Sequence, residues 1–217
     1  MIRYYPVMMN LEGALCAVVG GGTVAARKVE GLIQAGARVV VVSPEISTEL
    51  RLLADVGSIT VVDREYQEQD IFQARLVFAA TNRREVNERV AEDAASLGIP
   101  VNVADRSETG TFILPSTVRR GGLVLAVTTS GASPALAGKI KRELEERYTE
   151  DYVLYTVWLR NVRERVIRTV TDEKRRRALL LEALDVPKSE WTITQDVKVL
   201  DGQIADLMRR LDGRNKN

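Results

Sequence analysis

Apolar positions in the first hundred residues follow two alternating rhythms. Leu15–Val19 (LCAVV), Arg38–Val42 (RVVVV), Ile59–Val62, Leu76–Ala80 (LVFAA) and Pro100–Val103 (PVNV) are short runs with little polar alternation, as expected of strands buried on both faces. Between them the spacing becomes helical. Val24, Val29, Leu32 and Ile33 mark one face of a helix over Thr23–Ala35 that stops at Gly36, and a second amphipathic helix over Glu85–Leu97 closes at Gly98. Strands alternating with helices predict βαβ units and a parallel sheet with helices on both faces. After Asp105 the rhythm breaks. Phe112–Leu114 and Leu123–Thr128 read as strands joined through the Arg119-Arg120-Gly121-Gly122 turn, with no helix between. Ser133-Pro134 supplies the N-cap and first-turn proline of a helix reaching about Tyr148. The remainder reads as mostly helical, with turns near Thr171 and Pro187.

Composition removes several chemistries. The 217 residues contain no histidine, so the usual general base, the Ser-His-Asp triad and the commonest zinc ligand are all missing. Any catalysis rests on carboxylates, hydroxyls, Lys/Arg or a bound cofactor. The single Cys16 lies inside the first apolar run, where it packs as a small hydrophobe. A lone cysteine excludes an internal disulfide framework and fits a reducing compartment. MIRYYPVMMNLEG has no apolar core of signal-peptide type, and no run is long enough to span a bilayer. The expected location is cytoplasmic, with no membrane partner. A net charge of +1, and no room for a DNA-reading helix-turn-helix before the first strand, argue against a nucleic-acid partner. The run Lys174–Arg177 (KRRR) sits beside Asp172 and Glu173 and reads as a solvated helix face.

The first strand leads into Gly20-Gly21-Gly22-Thr23-Val24-Ala25, which fits the dinucleotide fingerprint G-x-G-x-x-A. Gly20 allows the tight turn off the strand. Gly22 lets backbone amides approach a pyrophosphate, and Ala25 lets the helix pack close to the sheet. The helix opening near Thr23 directs its free N–H groups and positive dipole end at the anion. A strand before and a helix after meet the context that the motif requires. The second strand ends at Ser43-Pro44-Glu45, about where an acid usually binds the ribose hydroxyls. Ser43 or Glu45 can serve, and the absence of an arginine there leans towards NAD over NADP.

Together with the glycine run, YYPVMMNLEG, AATN at Ala79–Asn82, NVAD at Asn102–Asp105, TFILPS at Thr111–Ser116 and TTSGASPALA at Thr128–Ala137 resemble the precorrin-2 dehydrogenase family. This family comprises the N-terminal modules of siroheme synthases and their stand-alone relatives. The resemblance covers residues 1 to about 150 in order and spacing; beyond that it rests on composition and position alone. It implies oxidation of precorrin-2 to sirohydrochlorin with NAD⁺, on the way to siroheme, cobalamin or haem, by a homodimer. It places the cofactor contacts at Gly20, Gly22, Thr23, Val24, Ser43, Pro44 and Glu45, with Thr81 and Asn102 beside the nicotinamide half. The family's essential aspartate matches Asp105. The architecture expected is α/β: a Rossmann-type NAD-binding domain over residues 1–115, a small α+β dimerisation segment over 116–149, and a helical C-terminal domain over 150–217. The methyltransferase domain fused to some relatives is not expected, the sequence ending at Asn217.

Asp105 also makes sense chemically. It follows a parallel strand, on the edge where open α/β sheets bind ligands, and a chain without histidine needs a carboxylate as proton acceptor. A turn-capping role is the bland alternative. The tetrapyrrole carries eight carboxylates, for which Arg119, Arg120, Lys139, Lys141 and Arg142 are candidate partners, with Ser130, Ser133 and the amides opening the Ser133 helix. Solvation is the alternative for each basic residue. No metal site is expected. Ferrochelation as a second activity stays open, with Asp105 and Glu108 as the available carboxylates and dehydrogenase-only the preferred reading. An NAD(H)-binding regulatory module and a partner-binding domain with a degenerate nucleotide fold are the remaining alternatives.

Overall fold

The structure, a computed structural model, describes residues 4–104, 106, 108–191, 193–194 and 196–214. It divides into two compact units, Met1–Leu114 and Pro115–Asn217. In the first, β1 (Leu15–Val19), α1 (Thr23–Gln34), β2 (Arg38–Val42), α2 (Thr48–Asp55), β3 (Thr60–Val62), β4 (Leu76–Ala79), α3 (Arg84–Ser96) and β5 (Val101–Val103) follow in order. The five strands are parallel and lie in the order β3-β2-β1-β4-β5. This is the Rossmann order, and the strand sequence reverses beside β1.

Strand side chains alternate between two cores. Cys16, Val18, Val39, Val41, Leu76 and Phe78 face α1 and α2. Ala17, Val19, Val42, Val77, Ala79, Val101 and Val103 face the side that holds α3. That is why the runs look continuously apolar: each face of the pleat has its own helix layer to meet. Cys16 is fully buried, and burial pushes its thiol above the ordinary range.

Two connections differ from the sequence expectation. Helix α2 joins β2 to β3; Ser47 caps it, its Oγ accepting from Leu50 N at 3.4 Å. The crossover from β3 to β4 holds only a 3-10 turn, Glu68–Ile71. It is fixed by Arg64, whose two guanidinium nitrogens donate to Asp70 at 2.8 and 2.6 Å. Burial raises the Asp70 carboxyl, but hydrogen bonds from Arg64 and the Gln67 amide outweigh it and hold it below the usual carboxylate range. Tyr66 reaches across to α3 and donates to Asp93 at 3.0 Å.

The second unit opens with an antiparallel hairpin, β6 (Ser116–Arg120) and β7 (Leu123–Val127). The expected strand at Phe112–Leu114 is not formed, because the backbone at residues 111 and 112 is tied to β5 instead. Arg119 and Arg120 are strand residues rather than turn residues. The turn is Gly121-Gly122, with Gly121 at φ +57° and Gly122 N donating to Thr156 Oγ1 at 3.1 Å. Helices α4 (Pro134–Arg147), α5 (Asp151–Thr169), α6 (Glu173–Glu182) and α7 (Val197–Arg214) follow. Trp158, Val162, Val166, Leu179, Ile204 and Leu207 form the core that α5, α6 and α7 share. Among the described residues, no helix is long and apolar enough to cross a membrane.

Candidate nucleotide site

The three glycines do three different things. Gly20 has φ +126°, and a Cβ there would sit 2.4 Å from the Ala80 carbonyl oxygen, so the turn off β1 packs directly against the loop after β4. At Gly21 a Cβ would lie 1.8 Å from the Glu45 carbonyl oxygen. Gly21 also accepts from Ser47 N at 2.8 Å, which ties this turn to the loop after β2. Gly22 is the opposite case: a Cβ there meets nothing within 4 Å. Gly22 is the N-cap of α1, no side chain caps that helix end, and its first turn carries no acid. Thr23 and Val24 are exposed in front of it. Unpaired helix amides facing open space where a side chain would stand, at a sheet's switch point, are what a diphosphate requires.

Sequence reasoning gave Gly21 no role, since the fingerprint leaves that position free. The structure makes it the most constrained of the three. Gly21→Ala is expected to destabilise the protein by about 1–3 kcal/mol, because a methyl group must displace backbone. Gly22→Ala is expected to stay within about 1 kcal/mol of the parent, as it fills open space at an N-cap. Urea unfolding of the pair measures the difference. Equal stability of the two variants would mean that the loop after β2 does not press on Gly21.

The other loops at this edge are held by their own polar groups. Ser43 donates from Oγ to the Glu45 carbonyl at 2.8 Å, so its hydroxyl proton braces the loop; Pro44 and Glu45 are exposed. After β4, Thr81 N donates to Asn87 Oδ1 at 3.1 Å, and Asn87 Nδ2 donates back to the Thr81 carbonyl at 3.0 Å. Thr81 Oγ1 lies 2.8 Å from Asn87 Oδ1 and 3.0 Å from the Arg83 carbonyl, and accepts from Arg83 N at 3.1 Å. Asn87 is only 4% exposed. Its signal was present in the sequence: Asn87, Val90, Ala91 and Ala94 share the buried stripe of α3, and a polar residue on such a stripe needs partners.

Asn102 lies on β5, 6% exposed, and donates from Nδ2 to the Phe112 carbonyl at 3.0 Å. Thr111 accepts at Oγ1 from Val101 N at 2.8 Å, and Thr111 N donates to the Val101 carbonyl at 2.8 Å. A Cβ on Gly110 would sit 2.9 Å from that same carbonyl, so residues 110–112 hug the free edge of β5. Ala104 N donates to the Ala79 carbonyl at 2.9 Å. The segment between them is anchored at both ends. Asp105, the expected catalytic carboxylate, falls in it and lies outside the described residues.

In the second unit, most of the expected substrate contacts have internal partners. Arg120 pairs with Glu150 at 3.2 Å and donates from Nη1 to the Arg119 carbonyl at 2.8 Å. Lys139 and Lys141 form i,i+4 pairs with Glu143 and Glu145, of the solvated kind that adds little stability. Ser133 Oγ caps α4 by accepting from Leu136 N at 3.2 Å, and Ser133 N donates to Thr129 Oγ1 at 2.9 Å. Ser130, at φ +52°, donates its N–H to Thr128 Oγ1 at 3.1 Å. The start of α4 is thus closed by its own hydroxyls, whereas α1 opens on Gly22 without a side-chain cap. Arg119 and Arg142 are exposed.

Comparison with known proteins gives a consistent picture. Residues 7–116 match an NAD(P)-binding family profile, and residues 120–147 match the profile of the sirohaem biosynthesis protein central region. The chain is 40% identical over 205 residues to a siroheme synthase from Nitrosococcus oceani, covering 94% of this chain and 40% of that protein. It is 35% identical over 181 residues to a precorrin-2 dehydrogenase from Priestia megaterium, covering 83% of this chain and 89% of that one. The solved structure of SirC, precorrin-2 dehydrogenase, superposes with a TM-score of 0.73 at 30% identity, covering 97% of this chain and all of the other. The chain spans less than half the length of the siroheme synthases it matches.

Proposed function

The chain belongs to the precorrin-2 dehydrogenase family, and we propose that it oxidises precorrin-2 to sirohydrochlorin in siroheme and tetrapyrrole biosynthesis, with NAD⁺ as hydride acceptor. The observation that carries this reading is the open space at Gly22 in front of an uncapped helix end, beside the reversal point of the sheet. Bound there, NAD⁺ supplies the acceptor for the hydride. Gly20 and Gly22 shape the phosphate cup, and the amides at Thr23 and Val24 face the diphosphate. Ser43, Pro44 and Glu45 lie on the ribose side. Thr81 and Asn102 serve the nicotinamide half through the backbone that they hold, since their polar groups are bonded within the protein.

Oxidation removes a hydride and a proton from the macrocycle. Both electrons leave with the hydride, and the proton passes to a carboxylate, a role assigned to Asp105. Arg119, Arg120, Ser130, Ser133 and Lys139 are assigned to the acidic arms of the substrate, Arg119 and Lys139 being exposed. We assign a homodimer to the segment 116–149, because a two-stranded hairpin is marginal alone and all but one of the β7 residues are half-buried. The location assigned is cytoplasmic.

The deciding experiment is anaerobic incubation with precorrin-2 and NAD⁺, followed by the rise of sirohydrochlorin absorbance and of NADH. Turnover that needs NAD⁺ supports the reading; no turnover with either NAD⁺ or NADP⁺ ends it. Parallel runs with Co²⁺ or Fe²⁺ as a further substrate separate dehydrogenation alone from dehydrogenation with chelation.

A further inference from the structure

Asn87 carries a role beyond stability. We infer that it is the positioning residue for the nicotinamide side of the site, a conclusion that rests on the dehydrogenase reading above. Its carboxamide binds one residue of the loop after β4 from both sides, accepting from Thr81 N and donating to the Thr81 carbonyl. It also lies within 2.8 Å of the Thr81 hydroxyl. That hydroxyl in turn accepts from Arg83 N, so the chain from Thr81 to Arg83 is folded onto a single buried side chain. Only a carboxamide presents an acceptor and a donor side by side in this way. A carboxylate offers no donor to the Thr81 carbonyl, and a hydroxyl has too short a reach.

The loop held by Asn87 is part of the site's wall. Ala80, immediately before Thr81, presents the carbonyl that a Cβ on Gly20 would meet at 2.4 Å. The loop after β4 and the glycine turn after β1 therefore abut at the strand-order reversal, where a dinucleotide passes from its phosphates to its nicotinamide. A shift of Thr81 moves that wall. Displacements near 1 Å in a positioning group lower rates and affinities by up to about a hundredfold. Asn87 itself is buried on α3, so its effect travels through Thr81.

Two variants test the role, with a stability control. Asn87→Leu removes every bond to Thr81, and Asn87→Asp keeps the acceptor but loses the donor. Val90→Ala removes core volume from the same helix without touching the loop. NADH affinity by fluorescence titration and KM for NAD⁺ are measured on the folded fraction, beside Tm and KM for precorrin-2. The expected result is KM for NAD⁺ and Kd for NADH raised about tenfold or more in Asn87→Leu and by a smaller factor in Asn87→Asp. KM for precorrin-2 is expected to stay within about twofold, and Val90→Ala to lower Tm with NADH affinity unchanged. Unchanged NADH affinity in both Asn87 variants overturns the proposal, as does an equal loss of affinity in Val90→Ala. Failure of the parent protein to bind NADH is a different outcome, since it removes the dehydrogenase reading itself.

Discussion

Replacing Gly22 with aspartate is expected to weaken NADH binding on the order of a hundredfold or more while the protein remains folded. A side chain at this position meets no atom within 4 Å, so the fold has room for it. The backbone, at φ −90°, is one that any residue adopts, and aspartate is itself a favourable N-cap. The damage is electrostatic. A carboxylate would stand where the diphosphate must sit and would accept from the amides that the phosphate needs. Like charges placed together in an interface lose several kcal/mol, and each 1.4 kcal/mol is a factor of ten in affinity. Isothermal titration with NADH beside a thermal melt measures both halves of the prediction. Retained affinity in a folded variant would remove the phosphate cup from this loop.

The second large effect belongs to Asp105. Asp105→Asn is expected to lower kcat by about 10²–10⁴-fold, the range for loss of a positioned acid or base, with NADH affinity within about twofold. Two features make the loss hard to compensate. The chain contains no histidine, so no imidazole can take over the proton. The neighbouring backbone is anchored on both sides, by Ala104 N on the Ala79 carbonyl and by residues 110–112 along β5, so another side chain cannot be brought in cheaply by loop movement. Single-turnover kinetics with precorrin-2, run beside an NADH titration, separate chemistry from binding. An unchanged rate would leave Asp105 as a turn residue.

Much of the first unit was legible as pattern. The apolar runs located all five parallel strands to within a residue, because strands covered by helices on both faces have no polar side to reveal. Gly36 and Gly98, both at positive φ just past helix ends, marked those ends correctly. Helix α2 escaped notice because its eight residues bury only Leu50 and so present almost no stripe. Phe112–Leu114 was apolar enough for a strand, but its backbone partners are the Thr111 and Asn102 side chains and the edge of β5, which no local pattern encodes.

The site shows the same boundary. The fingerprint placed Gly20 and Gly22 correctly in the turn, since a strand, a turn and a helix N-terminus are contiguous in the chain. The role of Gly21 depends on Glu45, and that of Asn87 on Thr81 across a loop. Arg120 and Ser133 looked available for ligand, yet Glu150 and Leu136 N engage them. By itself the sequence determined which segments are buried, where the anion-binding turn lies, and, through its missing histidines, which chemistries are closed to it. Only the tertiary structure decided which polar groups remain free for a ligand. Burial and periodicity are written residue by residue along the chain, whereas a hydrogen bond is committed only when two distant segments meet.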